Sequence, residues 1–424
     1  MNLMYKKFII TNRGEFNIKK YNLKSINVYS NNKIRNVNKR LLKKFLKLLN
    51  VKIESKEKNL LKEGKSISDE LRKNGYNIEY LNIQNNSING CVLYNKEKLF
   101  FKVLSERKAI NEIIGYINLY KNIPISKLKK VYMYLNVYIL IFEYDESIKR
   151  NEGLLNDLLV KADYENYEEK YCKIINEILE TYTSKLNKRF ISEKYPMQVF
   201  FNDRVDVRLN KWYYDLEIFD YKIIMDKKEY VSVMKIIKET TKYFNKEHIY
   251  DCYLTQGDPN VLNIGVKPIF FDFETAGYNS ILAEAATFIW SILFADLYFA
   301  PKYHKNSFKN HEAILDKNIK TNIDYKIDSY KNKIYIKYCK SSTVNRKIIV
   351  LKYLEKLRKM QINLSSDIKY FFVMRILCIF NLCDMEEQDK IYSIALLEII
   401  YYTFEIYKTD VNEDLRKMII DIVK

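Results

Sequence analysis

Residues 254–279 constrain the fold most. They read Leu254-Thr-Gln-Gly-Asp258-Pro-Asn-Val-Leu-Asn263-Ile-Gly, and then Ile269-Phe-Phe-Asp272-Phe-Glu274-Thr-Ala-Gly-Tyr278-Asn279. Two short apolar runs, 252–255 and 268–273, carry these polar residues. Runs of this length read as buried strands. A hairpin over 252–273 would present Asp258, Asn263 and Asp272 together.

Upstream, residues 76–143 alternate short strand patterns with one helix. Strands are expected at 78–83, 91–94 and 99–104, with a polar loop over 84–90 between the first two. Ser105 is a candidate N-cap for a helix to about Tyr120. Its Ile110, Ile113, Ile114 and Ile117 follow the i, i+3, i+4, i+7 rule. A hairpin of 131–135 and 137–143 completes the order: three strands, a helix, two strands. From residue 146 onward helical periodicity prevails, with candidates at 164–186, 229–244, 285–300, 346–360, 366–382 and 389–408. An alternating stretch at 325–338 suggests an inserted hairpin. The expected organisation is a basic N-terminal extension (1–75), a small lobe (76–145) and a larger helical lobe (146–424).

Two carboxylates and a carboxamide at this spacing suit phosphoryl transfer. That chemistry needs positioning and neutralised phosphate charge more than covalent help. One carboxylate must orient the acceptor hydroxyl and take its proton, and hard oxygen ligands must hold Mg²⁺. Asp258-x-x-x-x-Asn263 followed by Asp272 resembles the catalytic and metal-binding segments of the aminoglycoside phosphotransferases. Asp272-Phe-Glu-x-Ala-Gly-Tyr-Asn279 is similar to the choline and ethanolamine kinases. The resemblance implies an α+β, two-lobed protein-kinase-like fold, with a small antiparallel β lobe carrying one helix and a larger, mainly helical lobe. It implies ATP and Mg²⁺ as cofactors, Asp258 as catalytic base, and Asn263 and Asp272 as Mg²⁺ ligands. Gln256 stands where that family usually has His, a position that supports the loop. Glu284 falls where the family often has an acid opening a helix and is read as structural.

The small lobe should supply a lysine for the phosphates. Lys102 is a lone cation in the apolar strand Leu99-Phe-Phe-Lys102-Val, which places it on one face of the sheet. Glu112 is the first candidate to pair it, because it shares a helix face with Ala109, Ile113 and Tyr116; Glu106, in the first turn, is the second. Phe142-Glu143-Tyr144 fits the hinge, with Glu143 and Tyr144 offering backbone to adenine. The implied partner is a small-molecule hydroxyl acceptor, such as an amino alcohol or an aminoglycoside-like compound. Asp203, Asp206 and Asp215 are candidate acids for a cationic acceptor, and His304 is a weaker pocket candidate.

Composition narrows the rest. The formal charge is +19, and residues 1–50 hold 13 Lys/Arg against Glu15 alone, so +12 sits in that segment. Such a segment suggests an anionic partner, or else compositional bias in a solvated extension. A short basic amphipathic helix is expected at 41–49 and another from Ser66. The alternative function is a non-catalytic kinase-like binding protein whose basic N-terminus binds RNA or an anionic surface. Six scattered cysteines without a CxxC, and three histidines, argue against a zinc site or a disulfide framework. They suit free thiols in a reducing cytosol. No signal-peptide pattern opens the chain, and the run 285–300 is too short to span a bilayer.

Overall fold

The computed structural model describes residues 42–44, 46–55, 67–84, 87–134, 137–145, 153–164, 169–184, 186, 189–192, 196–213, 216–225, 227–303, 321–340, 344–406 and 411–422. The chain divides into two compact units. The first takes Met1–Arg150, Leu254–Gly257 and Ile269–Gly277; the second takes Asn151–Tyr253, Asp258–Pro268 and Tyr278–Lys424.

The first unit is built on a six-stranded sheet. Its elements are β1 (Lys52–Ser55), α1 (Ile67–Lys73), β2 (Asn77–Gln84), β3 (Ser87–Tyr94), β4 (Glu97–Ser105), α2 (Glu106–Leu119), β5 (Leu128–Met133) and β6 (Val137–Glu143). The spatial order is β1-β5-β6-β4-β3-β2. All neighbours are antiparallel except β1, which pairs parallel with β5 through Lys52↔Lys130 to Ser55↔Met133. Burial alternates along β4, so Leu99, Phe101 and Val103 enter a core with Val92, Tyr132, Tyr134, Ile139 and Ile141. Ile67 and Leu71 of α1 close that core, and Tyr134 Oη donates to buried Glu70 at 2.6 Å. By the two-residue period of a strand, Lys102 faces the other way from Phe101 and Val103.

Two expectations are corrected here. The stretch up to residue 75 is not a separate extension where it is described, because β1 lengthens the sheet and α1 caps its core. The loop expected at 84–90 shrinks, since β2 runs to Gln84 and β3 starts at Ser87.

The second unit is mainly helical: α3 (Leu155–Tyr164), α4 (Glu169–Thr183), α5 (Pro196–Arg204), α6 (Val233–Phe244), α7 (Ile281–Trp290), α8 (Val344–Lys359), α9 (Ile368–Ile379), α10 (Glu387–Ile406) and α11 (Val411–Ile422). Within the helix expected at 164–186, α4 covers Glu169–Thr183, and Tyr164 is the last residue of α3; Glu229 and Tyr230, expected to open the helix at 229–244, lie instead in the strand Lys228–Tyr230. The helix expected at 285–300 changes to π geometry over Ser291–Phe299. There Arg346 Nη1 donates to the Ile292 carbonyl at 2.9 Å, while its Nε pairs with Asp163 at 2.7 Å, both side chains fully buried. The alternating stretch forms the hairpin Asn322–Asp328 and Lys333–Lys340, which joins Lys222–Met225 and Lys228–Tyr230 in a four-stranded sheet. Buried Asp389 of α10 accepts from Lys302 Nζ (2.7 Å), Tyr303 Oη (2.6 Å) and Thr321 Oγ1 (2.7 Å). One carboxylate thus ties the chain on both sides of residues 304–320 to α10. No described helix is long and apolar enough to cross a membrane.

Candidate active site

In the first unit, β4 turns Lys102 toward α2. Its Nζ donates to Glu112 Oε1 at 2.7 Å and to Asp272 Oδ1 at 3.1 Å. Of the two helix acids, Glu112 is therefore the one on Lys102. The Glu112 side chain is 1% exposed and that of Lys102 16%, whereas Asp272 exposes 48%. A helix turn places Ala109, Ile113 and Tyr116 in the same buried layer as Glu112.

The run 268–273, expected as a strand, is not one. Only an isolated bridge, Ile125↔Phe270, remains of it. Side chains take over the work of a ladder. Gln256 Nε2 donates to the carbonyls of Phe271 and Asp272, both at 2.7 Å. The Phe273 N–H donates to Glu112 Oε2 at 3.0 Å. Backbone groups that would otherwise be buried unpaired are satisfied this way, and the chain is free to kink. Asp272 takes φ +59°, in the left-handed region, which Asp tolerates better than most residues. Two glycines permit the approach. A Cβ on Gly115 would lie 1.8 Å from the Phe273 carbonyl oxygen, and one on Gly257 (φ +90°) would lie 2.1 Å from that of Thr275. Tyr116, Phe142 and Phe273 pack their rings around this segment.

One ammonium thus serves two carboxylates. Burial pulls against the Lys102 charge, but Asp272 and Glu112 outweigh it and raise its affinity for the proton. Burial also pushes the Glu112 carboxyl up to about 8; Lys102 opposes this and Asp272 adds to it. Asp272 is held below the usual carboxylate range because Lys102 and a hydrogen bond with Glu112 outweigh its desolvation. With Glu112 protonated, the charges of Lys102 and Asp272 cancel, and the half-exposed Asp272 carboxylate is the anionic group of the triad.

In the second unit, residues 258–266 lie against 153–156. Leu155 N–H donates to the Ile264 carbonyl (2.7 Å), Asn156 N–H to that of Val261 (3.2 Å), and Val266 N–H to that of Gly153 (2.9 Å). Asn263 Nδ2 donates to the Asp258 backbone carbonyl at 2.9 Å, which leaves the amide oxygen as its hard donor. Asn260 spans the loop, accepting from Leu262 N–H at 3.0 Å and donating to Asp258 Oδ2 at 3.1 Å. Asp258 Oδ1 accepts from Arg375 Nη2 at 2.5 Å.

Other sequence candidates are placed as follows. Glu143 ends β6; its N–H donates to the Lys127 carbonyl, its carbonyl accepts from Ser126 Oγ, and its carboxylate pairs with Lys129 at 2.8 Å. Lys98 Nζ sits 4.7 Å from the centre of the Tyr144 ring. Glu284 is buried and accepts from Tyr182 Oη; Asn279 Oδ1 accepts from Met197 N–H at 2.9 Å, so both hold structure together. Asp203 and Asp206 are exposed, Asp206 accepting from Asn210. Asp215, His304 and residues 85–86 lie outside the described residues. Sequence reasoning missed Arg375. The signal was there: Arg375 is a lone guanidinium amid the apolar Phe371-Phe-Val-Met-Arg375-Ile-Leu, the same anomaly that singled out Lys102.

The strand order, the helix between β4 and β5, and the Lys102–Glu112 pair define the class: an α+β protein of protein-kinase-like fold. No family model and no curated protein sequence matches the chain. Among solved structures it is similar to an amicoumacin kinase in complex with AMP-PNP, Ca²⁺ and Ami, at 11% identity over 82% of this chain and 95% of that one (TM-score 0.39). It is also similar to a thermostable mutant of an aminoglycoside phosphotransferase in complex with AMP-PNP and hygromycin B, at 9% identity over 80% and 98% (TM-score 0.43). A third is the microcompartment-associated aminopropanol kinase, at 9% identity over 83% and 99% (TM-score 0.35). The class rests on the topology and the pair, not on these likenesses.

Proposed function

We propose that the chain is an ATP- and Mg²⁺-dependent phosphotransferase that moves the γ-phosphate to a hydroxyl of a small molecule. The observation that carries this reading is the buried Lys102–Glu112 pair with Asp272 on the same ammonium. Burying a lysine between two carboxylates is costly for stability alone, whereas phosphate binding needs a lysine held in this way. Lys102 takes the α/β-phosphates and Glu112 fixes it from behind. Asp272, half exposed and depressed, and the Asn263 amide oxygen supply hard ligands of the kind Mg²⁺ prefers. When bound, Mg²⁺ neutralises phosphate charge. Asp258, the acid of the loop, orients the acceptor hydroxyl and takes its proton. We assign adenine reading to the main chain at Glu143 and Tyr144: with the Glu143 N–H bonded to Lys127, what remains to Glu143 is the second lone pair of its carbonyl.

A radiolabel screen tests the proposal. Transfer from γ-labelled ATP is measured over amino alcohols, aminoglycosides and other hydroxyl-bearing metabolites, with and without Mg²⁺. Mg²⁺-dependent labelling of an acceptor, lost in Asp258→Asn, is the expected result. If Mg²⁺·ATP neither raises the melting temperature nor loses its γ-phosphate under any condition, the proposal is wrong.

A further inference from the structure

We infer that Arg375 is the positioning residue for Asp258, an inference that rests on the phosphotransferase reading. The guanidinium is 5% exposed although the carboxylate it holds is 30% exposed. The buried member of this pair is thus the cation, which has the larger desolvation cost to offset. Its environment is built from three elements of the second unit. Nη2 donates to Asp258 Oδ1 at 2.5 Å, and Nε donates to Thr287 Oγ1 at 2.7 Å. Thr287 Oγ1 in turn donates to the Ala283 carbonyl at 2.8 Å, so its lone pairs, not its proton, face the arginine. The rings of Phe200 and Phe201 of α5 each lie 5.6 Å from the guanidinium carbon.

The plane of Arg375 is therefore fixed by α7, α9 and α5 together, and it fixes one oxygen of Asp258. Asn260 holds the other at 3.1 Å. A carboxylate has about four lone-pair sites, so both oxygens keep capacity for an acceptor hydroxyl while the group's rotation is locked. Asp258 lies in the loop that follows the strand Tyr250–Thr255, where a partly exposed side chain without such partners would sample several rotamers. Lysine cannot do this work. An ammonium lacks the planar fork that holds Thr287 Oγ1 and Asp258 Oδ1 in fixed directions from Nε and Nη2.

The experiment uses the full chain and reads phosphate release from Mg²⁺·ATP, with water as acceptor. Arg375→Gln should lower kcat on the order of 10²-fold, the scale of a misplaced reacting group, while Mg²⁺·ATP affinity stays within about twofold. Arg375→Lys should recover little. Free guanidinium added to Arg375→Ala should restore part of kcat, a response that a merely structural role would not give. In an Asp258→Asn background, Arg375→Gln should cost nothing further. Wild-type kcat in Arg375→Gln overturns the inference alone. A loss of kcat that tracks equal losses of nucleotide affinity and melting temperature, without guanidinium rescue, also overturns it. Wild-type protein with no phosphate release at all overturns the phosphotransferase reading, and the inference with it.

Discussion

Glu112→Gln separates a charged from a neutral Glu112. The side chain is 1% exposed and accepts from Lys102 Nζ at 2.7 Å and from Phe273 N–H at 3.0 Å. Burial pushes its carboxyl up to about 8, against 4.5 for an ordinary glutamate. A group raised on folding binds its proton more tightly in the native state. Its stabilising contribution is complete below the unfolded value and is lost as pH rises through the folded one. The loss therefore accrues between about pH 4.5 and pH 8, at up to ~1.4 kcal/mol per pH unit. A protonated glutamate keeps two oxygens facing these two donors, whereas a glutamine turns its NH₂ toward one of them. At pH 5 the variant should therefore be about 1–3 kcal/mol less stable than wild type. By pH 8 that deficit should have vanished or reversed, because wild type alone loses stability across the window. Glu398, buried and likewise raised to about 9, bends both curves equally and cancels in the difference. Urea unfolding from pH 5 to 9, followed in both proteins, measures that difference. Parallel curves with Glu112→Gln about 3–5 kcal/mol weaker throughout, the cost of breaking an ionised buried pair, would refute the argument.

Asp272→Ala should remove the Mg²⁺-dependent part of nucleotide affinity while leaving the Lys102–Glu112 pair, and calorimetry with and without Mg²⁺ checks it. Gly115→Ala should destabilise by about 1–3 kcal/mol, because the added Cβ meets the Phe273 carbonyl oxygen at 1.8 Å; denaturant midpoints decide it, and activity should fall too because Phe273 neighbours Asp272. Arg346→Leu should cost about 3–5 kcal/mol by stranding buried Asp163. Adding Asp163→Leu should recover much of that loss, as a double-mutant cycle will show.

The elements that were legible from sequence are those whose periodicity follows from their own burial. β4 buries alternate residues and α2 carries its isoleucines at helical spacing, so apolar spacing marks both, and with them Lys102 and Glu112. The run 268–273 misled for a physical reason. Its apolar residues are buried, which is all that hydropathy reports, but its backbone bonds go to the Gln256 and Glu112 side chains and, at Phe270, to the Pro124 carbonyl of a loop instead of to a neighbouring strand. Hydropathy cannot tell a ladder from side-chain substitutes for one. The π turn over 291–299 was hidden likewise, since its register is set by Arg346 from a helix some fifty residues on.

Gln256 shows how a departure from a family pattern can be read. Two amide donors fixed on two successive carbonyls need a side chain with two N–H groups on one nitrogen, which glutamine has and histidine lacks. Replacing Gln256 by His should therefore satisfy one carbonyl and strand the other, costing about 1–3 kcal/mol. Because those carbonyls belong to Phe271 and Asp272, the cost falls on the φ +59° kink that sets the direction of the Asp272 carboxylate. Gln256→His should accordingly weaken Mg²⁺·ATP affinity more than Mg²⁺-free ATP affinity, while Gln256→Glu, which keeps the length but offers no N–H when ionised, should lose more still. Equal affinities in all three proteins would mean that the kink is held by the ring packing of Phe273 alone.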